Sequence, residues 1–142
     1  AVVRGWPPPD GRVSHPLDDP ESGRGRRPAV TRYRTLATVE LPIPVDRYPA
    51  ARYALVEARP ETGRRHQVRR HLKHIAHPLV GDVRYGKGPH NRLFREHFGV
   101  QRLLLRARGL AFPHPEGGAR VVIEAPADPQ WSALLVRLGW GG

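Results

Sequence analysis

Two alternating stretches divided by prolines set the architecture. From Val30 to Leu41, the residues Tyr33, Thr35, Ala37, Val39 and Leu41 recur at every second position, the period of a strand with one face covered. Arg52 to Arg59 alternates again, with Tyr53, Leu55 and Glu57 set against Ala54, Val56 and Ala58, and Pro42, Pro44 and Pro49 lie between the two stretches. Proline has no N–H to give a ladder and fixes its own φ, so the chain must leave one strand before it enters the next. The pattern predicts an antiparallel meander.

The flanking segments are read by the same physics. Ala1 to Gly5 is β-rich, and Gly5-Trp6-Pro7-Pro8-Pro9-Asp10-Gly11 breaks it. Asp18 to Pro28 is polar and rich in Gly and Arg without apolar periodicity, which predicts a mobile loop whose Arg24, Arg26 and Arg27 could touch a phosphate backbone. Thr62 offers an N-cap for a helix reaching Ala76, with Val68, Leu72 and Ile75 on one face and Pro78 closing it. Val80 to Tyr85 reads as a short turn or strand, Asn91 to Phe98 as a second helix stopped by Gly99, and Leu103–Leu105 and Leu110–Phe112 as strand-like. Gly117-Gly118 marks a hairpin turn before Val121–Glu124, and a last helix begins at Asp128 with Trp131, Leu134, Leu135 and Leu138 on one face. The expectation is an α+β domain spanning 1–142, a mixed, mainly antiparallel sheet with a few flanking helices around one core.

A formal charge of +11 on 142 residues makes a positive field for which polyanions are the natural partner. Without a run of 18 apolar residues or a charged-then-apolar leader, no membrane span or signal peptide is expected. A soluble cytoplasmic protein, monomeric by default, is the expectation. The absence of Cys removes thiolate metal sites and thiol nucleophiles. Met is also absent, and Ala1-Val2-Val3-Arg4 reads like the middle of a strand, which suggests a truncated or processed chain.

The densest chemistry lies in Thr62 to His74, where Arg64, Arg65, Arg69, Arg70, Lys73, His66, His71 and His74 share one stretch without a carboxylate. Like charges at i, i+4 oppose helix formation, so packing and an anionic partner must hold it. At about 100° per residue, Arg69 falls at the edge of the Val68–Leu72–Ile75 stripe while Arg70 points away. A guanidinium at that margin is costly unless a carboxylate or phosphate meets it, so Arg69 needs an acidic partner. Arg64 and Arg65 fall at the anion-attracting end of the helix, and His66 and Gln67 could read a base edge or ribose. His71, His74 and His77 recur every third residue, yet without Cys and with Asp82 as the nearby acid they do not converge as metal ligands. Ser14, Ser22 and Ser132 lie in none of the strained Gly-flanked turns that serine nucleophiles use.

The string Arg59-Pro60-Glu61-Thr62-Gly63-Arg64-Arg65-His66-Gln67-Val68-Arg69-Arg70-His71, followed by His77-Pro78-Leu79-Val80-Gly81-Asp82 and Tyr85-Gly86, resembles the C-terminal motif of RluA-like RNA pseudouridine synthases. The doubled Arg-Arg-His, with His90-Asn91-Arg92, Phe94-Arg95 and Gly99, is similar to the tRNA pseudouridine synthase C branch. The resemblance implies isomerisation of uridine in RNA, with tRNA as the expected partner and no metal or organic cofactor. It implies an upstream nucleophilic Asp in a His-Arg-Leu-Asp motif, a Tyr that stacks on the flipped base, and an Arg, matched by Arg69, that pairs with that Asp. Ala1, Val3 and Gly5 match the end of the strand carrying that Tyr, so both Asp and Tyr are expected in a missing N-terminal half and the chain alone is expected to be inactive. Arg64, Arg65, His66, Gln67, Arg70, His71 and Lys73 are the expected RNA-facing residues. Arg106 stands where the family has His in its Leu-Leu-Leu-His-Ala stretch. The alternative is a noncatalytic RNA-binding module or degraded paralogue that keeps the basic groove.

Overall fold

The computed structural model describes residues 1–141 except Pro20, His114, Pro115 and Ala119. In chain order its elements are β1 (Val2–Arg4), β2 (Asp10–Ser14), β3 (Leu17–Asp18), β4 (Arg26–Arg27), β5 (Val30–Leu41), β6 (Ala51–Pro60), α1 (Gln67–His74), α2 (Gly88–Leu93) running into a π-helical turn (Phe94–Phe98), β7 (Gly109–Pro113), β8 (Arg120–Glu124) and α3 (Pro129–Arg137). Every strand pairing among them is antiparallel, so the α+β architecture is the one the alternation predicts.

The meander of β5 and β6 is the centre of a four-stranded sheet ordered β1-β6-β5-β2. Its register slips between Thr35 and Ala37, and that bulge decides how the sheet is covered. Before it, Thr31 and Tyr33 pair with Pro60 and Ala58; after it, Ala37 and Val39 pair with Leu55 and Tyr53. Successive β residues point to opposite faces, so one extra residue carries the apolar set of β5 from one face to the other. Leu36, the residue left over, is exposed. One face then receives α1, through His71 on Thr31. The other receives α2 and the π turn, through Tyr53 edge-on to Phe94 at 4.8 Å.

Strand β2 was not foreseen, because Asp10-Gly11 reads as the end of a break. Gly11 lies opposite Tyr33, and a Cβ there would stand 2.6 Å from the Tyr33 ring. The glycine seats a side chain instead of making a turn. The segment expected to be a mobile loop, 18–28, includes β4 and the last residue of β3, with Leu17 opposite Arg27 and Asp18 opposite Arg26; its Pro20 lies outside the described residues. Leu103–Leu105 is not a strand, although Leu104 is buried and exchanges backbone hydrogen bonds with Val2 and Val80. The second helix starts at Gly88 instead of Asn91, with Pro89 in its first turn, a position where the missing N–H costs nothing.

Residues 1–104 and 105–142 form two compact units. In the second, β7 and β8 make a two-stranded hairpin. Asp128 caps α3 by accepting from the Trp131 N–H at 2.9 Å, which fixes the start of that helix at the expected place. Trp131, Leu134 and Leu138 are buried. Among the described residues, no helix is long and apolar enough to cross a membrane.

Candidate functional site

The basic stretch is helical only from Gln67 to His74, shorter than the expected 62–76, and Thr62 is not its N-cap. His66 takes that position in a left-handed conformation, φ 52°, which costs a non-glycine residue about 1 kcal/mol or more and needs surrounding contacts to persist. Those contacts run through Gln67. Its Oε1 accepts from the Thr62 hydroxyl at 2.6 Å and the Arg64 N–H at 3.0 Å, and its Nε2 donates to the Val30 carbonyl at 2.8 Å and Thr31 Oγ1 at 3.0 Å. Gln67 is therefore an internal strut between β5 and α1, and both ends of its amide are spent within the chain.

His71 is likewise turned inward. It is fully buried, with Nδ1 at 2.7 Å from Thr31 Oγ1 and Nε2 at 2.9 Å from the His15 carbonyl. A carbonyl only accepts, so Nε2 carries the proton and Nδ1 accepts from the threonine. Burial holds its pKa below the ordinary histidine value, with His74 and Arg70 adding to the effect and the bond to His15 opposing it. The expectation that Gln67 and His71 face RNA is corrected by these positions: the buried stripe of α1 is Gln67, His71 and Leu72, because a hydrogen-bonded polar pair satisfies the sheet's own buried groups. The evenly spaced histidines also separate, since His74 stacks on His15 at 3.7 Å and His77 donates from Nδ1 to the Arg4 carbonyl at 2.9 Å.

Arg69 sits at the margin of the helix, and its acid is in the chain. Nε donates to Asp82 Oδ2 at 2.8 Å and Nη2 to Oδ1 at 2.9 Å. This corrects the expectation that only a carboxylate from a missing half could meet Arg69. Asp82 also accepts the N–H groups of Arg84 at 3.0 Å and Tyr85 at 2.9 Å, so one buried carboxylate closes its own turn and holds the guanidinium. Burial alone would raise its pKa, but Arg69 and the two N–H donors outweigh that and keep it below the usual carboxylate value. The turn is positioned by Gly81 (φ 82°), where a Cβ would meet the Arg102 carbonyl oxygen at 1.8 Å.

Tyr85 completes the corner. The guanidinium carbons of Arg69 and Arg84 lie 5.1 and 5.3 Å from its ring centre and Lys73 Nζ 6.0 Å, while its hydroxyl hydrogen-bonds His66 Nδ1 at 3.0 Å. Burial lowers the His66 pKa, and Arg69, Arg65 and Arg84 lower it further. Arg69 spends Nε and Nη2 on Asp82, and Nη1 donates to none of the described residues. What results is a rigidly held cation, with one donor group to spare, beside an aromatic ring and further positive charge. Lys73 and Arg65 are exposed, and Arg64 and Arg70 are half-buried, their guanidiniums turned to the Pro28 carbonyl and to Asp18. Sequence reasoning had Asp82 and Tyr85 in hand but gave neither a role; the signal was the short Gly81-Asp82 turn following a helix that lacked any acid of its own.

A profile described as RNA pseudouridylate synthase matches residues 1–74, and the chain belongs to that family. Two of its relatives are both named tRNA pseudouridine synthase C. One, from Vibrio cholerae, is 45% identical over 149 residues, covering 99% of this chain and 61% of the relative. The other, from Salmonella typhi, is 43% identical over 151 residues, covering 100% of this chain and 58% of the relative. The chain thus spans about three fifths of the length of these relatives. The solved structure titled Human RNA Pseudouridylate Synthase Domain Containing 1 superposes with a TM-score of 0.63 at 23% identity, over 94% of this chain and 56% of that one; it shares the fold.

Proposed function

We propose that the chain supplies the arginine-bearing part of an RNA pseudouridine synthase site, and that the RNA is tRNA. The observation that carries this is the Arg69–Asp82 pair at the margin of a basic helix, in a chain of that family. Isomerisation exchanges the N–C glycosidic bond of uridine for a C–C bond from C5, with loss of the C5 proton and gain of one at N1. It is redox-neutral and internal to the nucleotide, so it calls for a nucleophile and oriented charge and for no cofactor.

Asp82 is a poor nucleophile because both its oxygens are engaged and it is nine-tenths or more buried. In this reading the attacking Asp and the stacking Tyr come from residues other than these 142, and Arg69 Nη1 is the donor that keeps the attacking carboxylate ionised. The surrounding cations offset the cost of moving a base out of its stack by binding its phosphates. The names of the relatives favour tRNA, and a monomer acting in the cytoplasm fits that substrate.

The test mixes this chain with a fragment bearing the His-Arg-Leu-Asp motif and supplies tRNA transcripts tritiated at uridine C5. Label release by the mixture, and by neither part alone, is expected. RNA binding without label release would favour a noncatalytic RNA-binding module.

A further inference from the structure

Of the three acidic side chains between β2 and β5, Asp18 and Glu21 end on arginines of the basic stretch, while Asp19 accepts the Glu21 N–H at 3.2 Å. Arg70 Nη2 donates to Asp18 Oδ1 at 2.5 Å and Nη1 to the Asp18 carbonyl at 2.7 Å. Arg65 Nη1 lies 2.5 Å from Glu21 Oε1, and Arg64 Nε donates to the Pro28 carbonyl at 2.9 Å. Three of the cations expected to face RNA are thus held by a single segment. The two acids are open to water, with side chains 52% exposed for Asp18 and 77% for Glu21, against 20% for Arg70 and 36% for Arg65. Exposed pairs are weak because water and salt compete for both partners. A phosphodiester offers a guanidinium the same paired anionic oxygens as a carboxylate.

We propose that Asp18 and Glu21 stand where two phosphates of an RNA strand bind, so that these two acids act as an internal competitor for RNA. The proposal rests on the RNA-enzyme reading above and adds where the backbone lies and what it must displace. The segment is built for local exchange. Leu17 is buried, His15 stacks on His74, and the His15 carbonyl accepts from His71, so its base is fastened. Beyond that base, Glu21 to Arg26 are all exposed, and Gly23 and Gly25 have positive φ. The carboxylates can therefore leave the arginines by side-chain rotation and a shift of the tip, with the sheet and α1 unchanged. A surface carrying Arg65 and Arg70 without an acid beside it would attract any polyanion; an attached acid pair makes a ligand earn its place with two correctly spaced phosphates.

The experiment titrates the full chain with a fluorescein-labelled, uridine-containing stem-loop RNA. Wild type is compared with Asp18→Asn/Glu21→Gln and with Asp10→Asn/Glu40→Gln, which gains the same net charge on other elements. The first variant is expected to bind about three- to tenfold tighter than wild type and the second less than about twofold. A spin label on Ser22→Cys, unique in a chain with no cysteine, is expected to gain mobility when RNA is added. Equal tightening in both variants, no tightening in the first, or a label unmoved by bound RNA each overturns the competitor. Absence of RNA binding by wild type at low salt overturns the RNA reading itself and the competitor with it, whereas wild-type binding without a variant effect overturns the competitor alone.

Discussion

Asp82 holds Arg69 from thirteen residues further along the chain, accepting one hydrogen bond on each carboxylate oxygen while also closing its own turn. Removing the acid leaves a guanidinium at the edge of the core without its counter-charge and two backbone N–H groups without an acceptor. Asp82→Ala is expected to destabilise the protein by about 3–5 kcal/mol in urea denaturation. Asp82→Asn, which keeps one acceptor oxygen for the turn, is expected to cost less. Equal stability of all three proteins would show that the pair holds nothing.

Arg69→Lys separates folding from chemistry. An ammonium keeps the charge toward Asp82 but cannot form the planar two-bond contact and has no second nitrogen to offer another acceptor. The folding cost is expected to be about 1 kcal/mol. In a complete enzyme containing this chain, kcat/KM is expected to fall by at least about a hundredfold, well beyond that stability loss. Matching losses in the two measurements would remove Arg69 from the reaction.

The general position of these side chains was legible, and their partners were not. Helical geometry placed Arg69 at an apolar margin, and a charged fork there needs an acid; that argument does not depend on knowing where the acid is. Gln67 and His71 were misplaced because the apolar stripe was drawn through Val68 and Ile75, which stay half exposed, while the sheet presents Thr31 to the helix. Hydrophobic periodicity carries no information about a buried hydroxyl across the interface. The bulge at Leu36 was equally silent, since Tyr33, Thr35, Ala37 and Val39 alternate without interruption in sequence and change faces only in register.

The contact of Thr31 with His71 is expected to show coupling. Thr31→Val leaves a buried imidazole nitrogen and the Gln67 amide short of a partner, and His71→Leu leaves the Thr31 hydroxyl and the His15 carbonyl short of theirs. Each single change is expected to cost about 1–3 kcal/mol. The double variant is expected to fall short of their sum by at least about 0.5 kcal/mol. Strict additivity would mean that the hydrogen-bond chain does not act as a unit.

His90 makes stability depend on pH. It is buried against Tyr53, with Arg4 Nε donating to Nε2 at 3.2 Å, so Nδ1 carries the proton toward the Tyr53 hydroxyl at 2.9 Å. Burial first, then Arg4, pushes its pKa from 6.5 down to about 4. The unfolded chain therefore binds the extra proton first. Stability from this site is complete above about pH 6.5 and is lost progressively as pH falls toward 4, about 3 kcal/mol in all. His71, lowered in the same direction by burial, adds to the slope. His90→Gln, which can accept from Arg4 and donate to Tyr53, is expected to flatten the profile between pH 6.5 and 4; an unchanged profile would place the acid sensitivity elsewhere.

Salt separates a phosphate-binding surface from a merely basic one. Each phosphate neutralised on a single strand releases condensed counterions and adds about −0.7 to the slope of log K against log salt. Exposed Lys73 and Arg84 flank the Tyr85 corner and exposed Arg65 lies on the same basic stretch, so at least three phosphates should be met and the slope should be about −2 or steeper. Lys73→Ala is expected to weaken binding similarly for unrelated RNA sequences and to reduce the slope by about 0.7, because an ammonium contacts the backbone as a point charge and reads no base. A flat salt response in the wild type would mean that the charge of +11 is not what holds RNA.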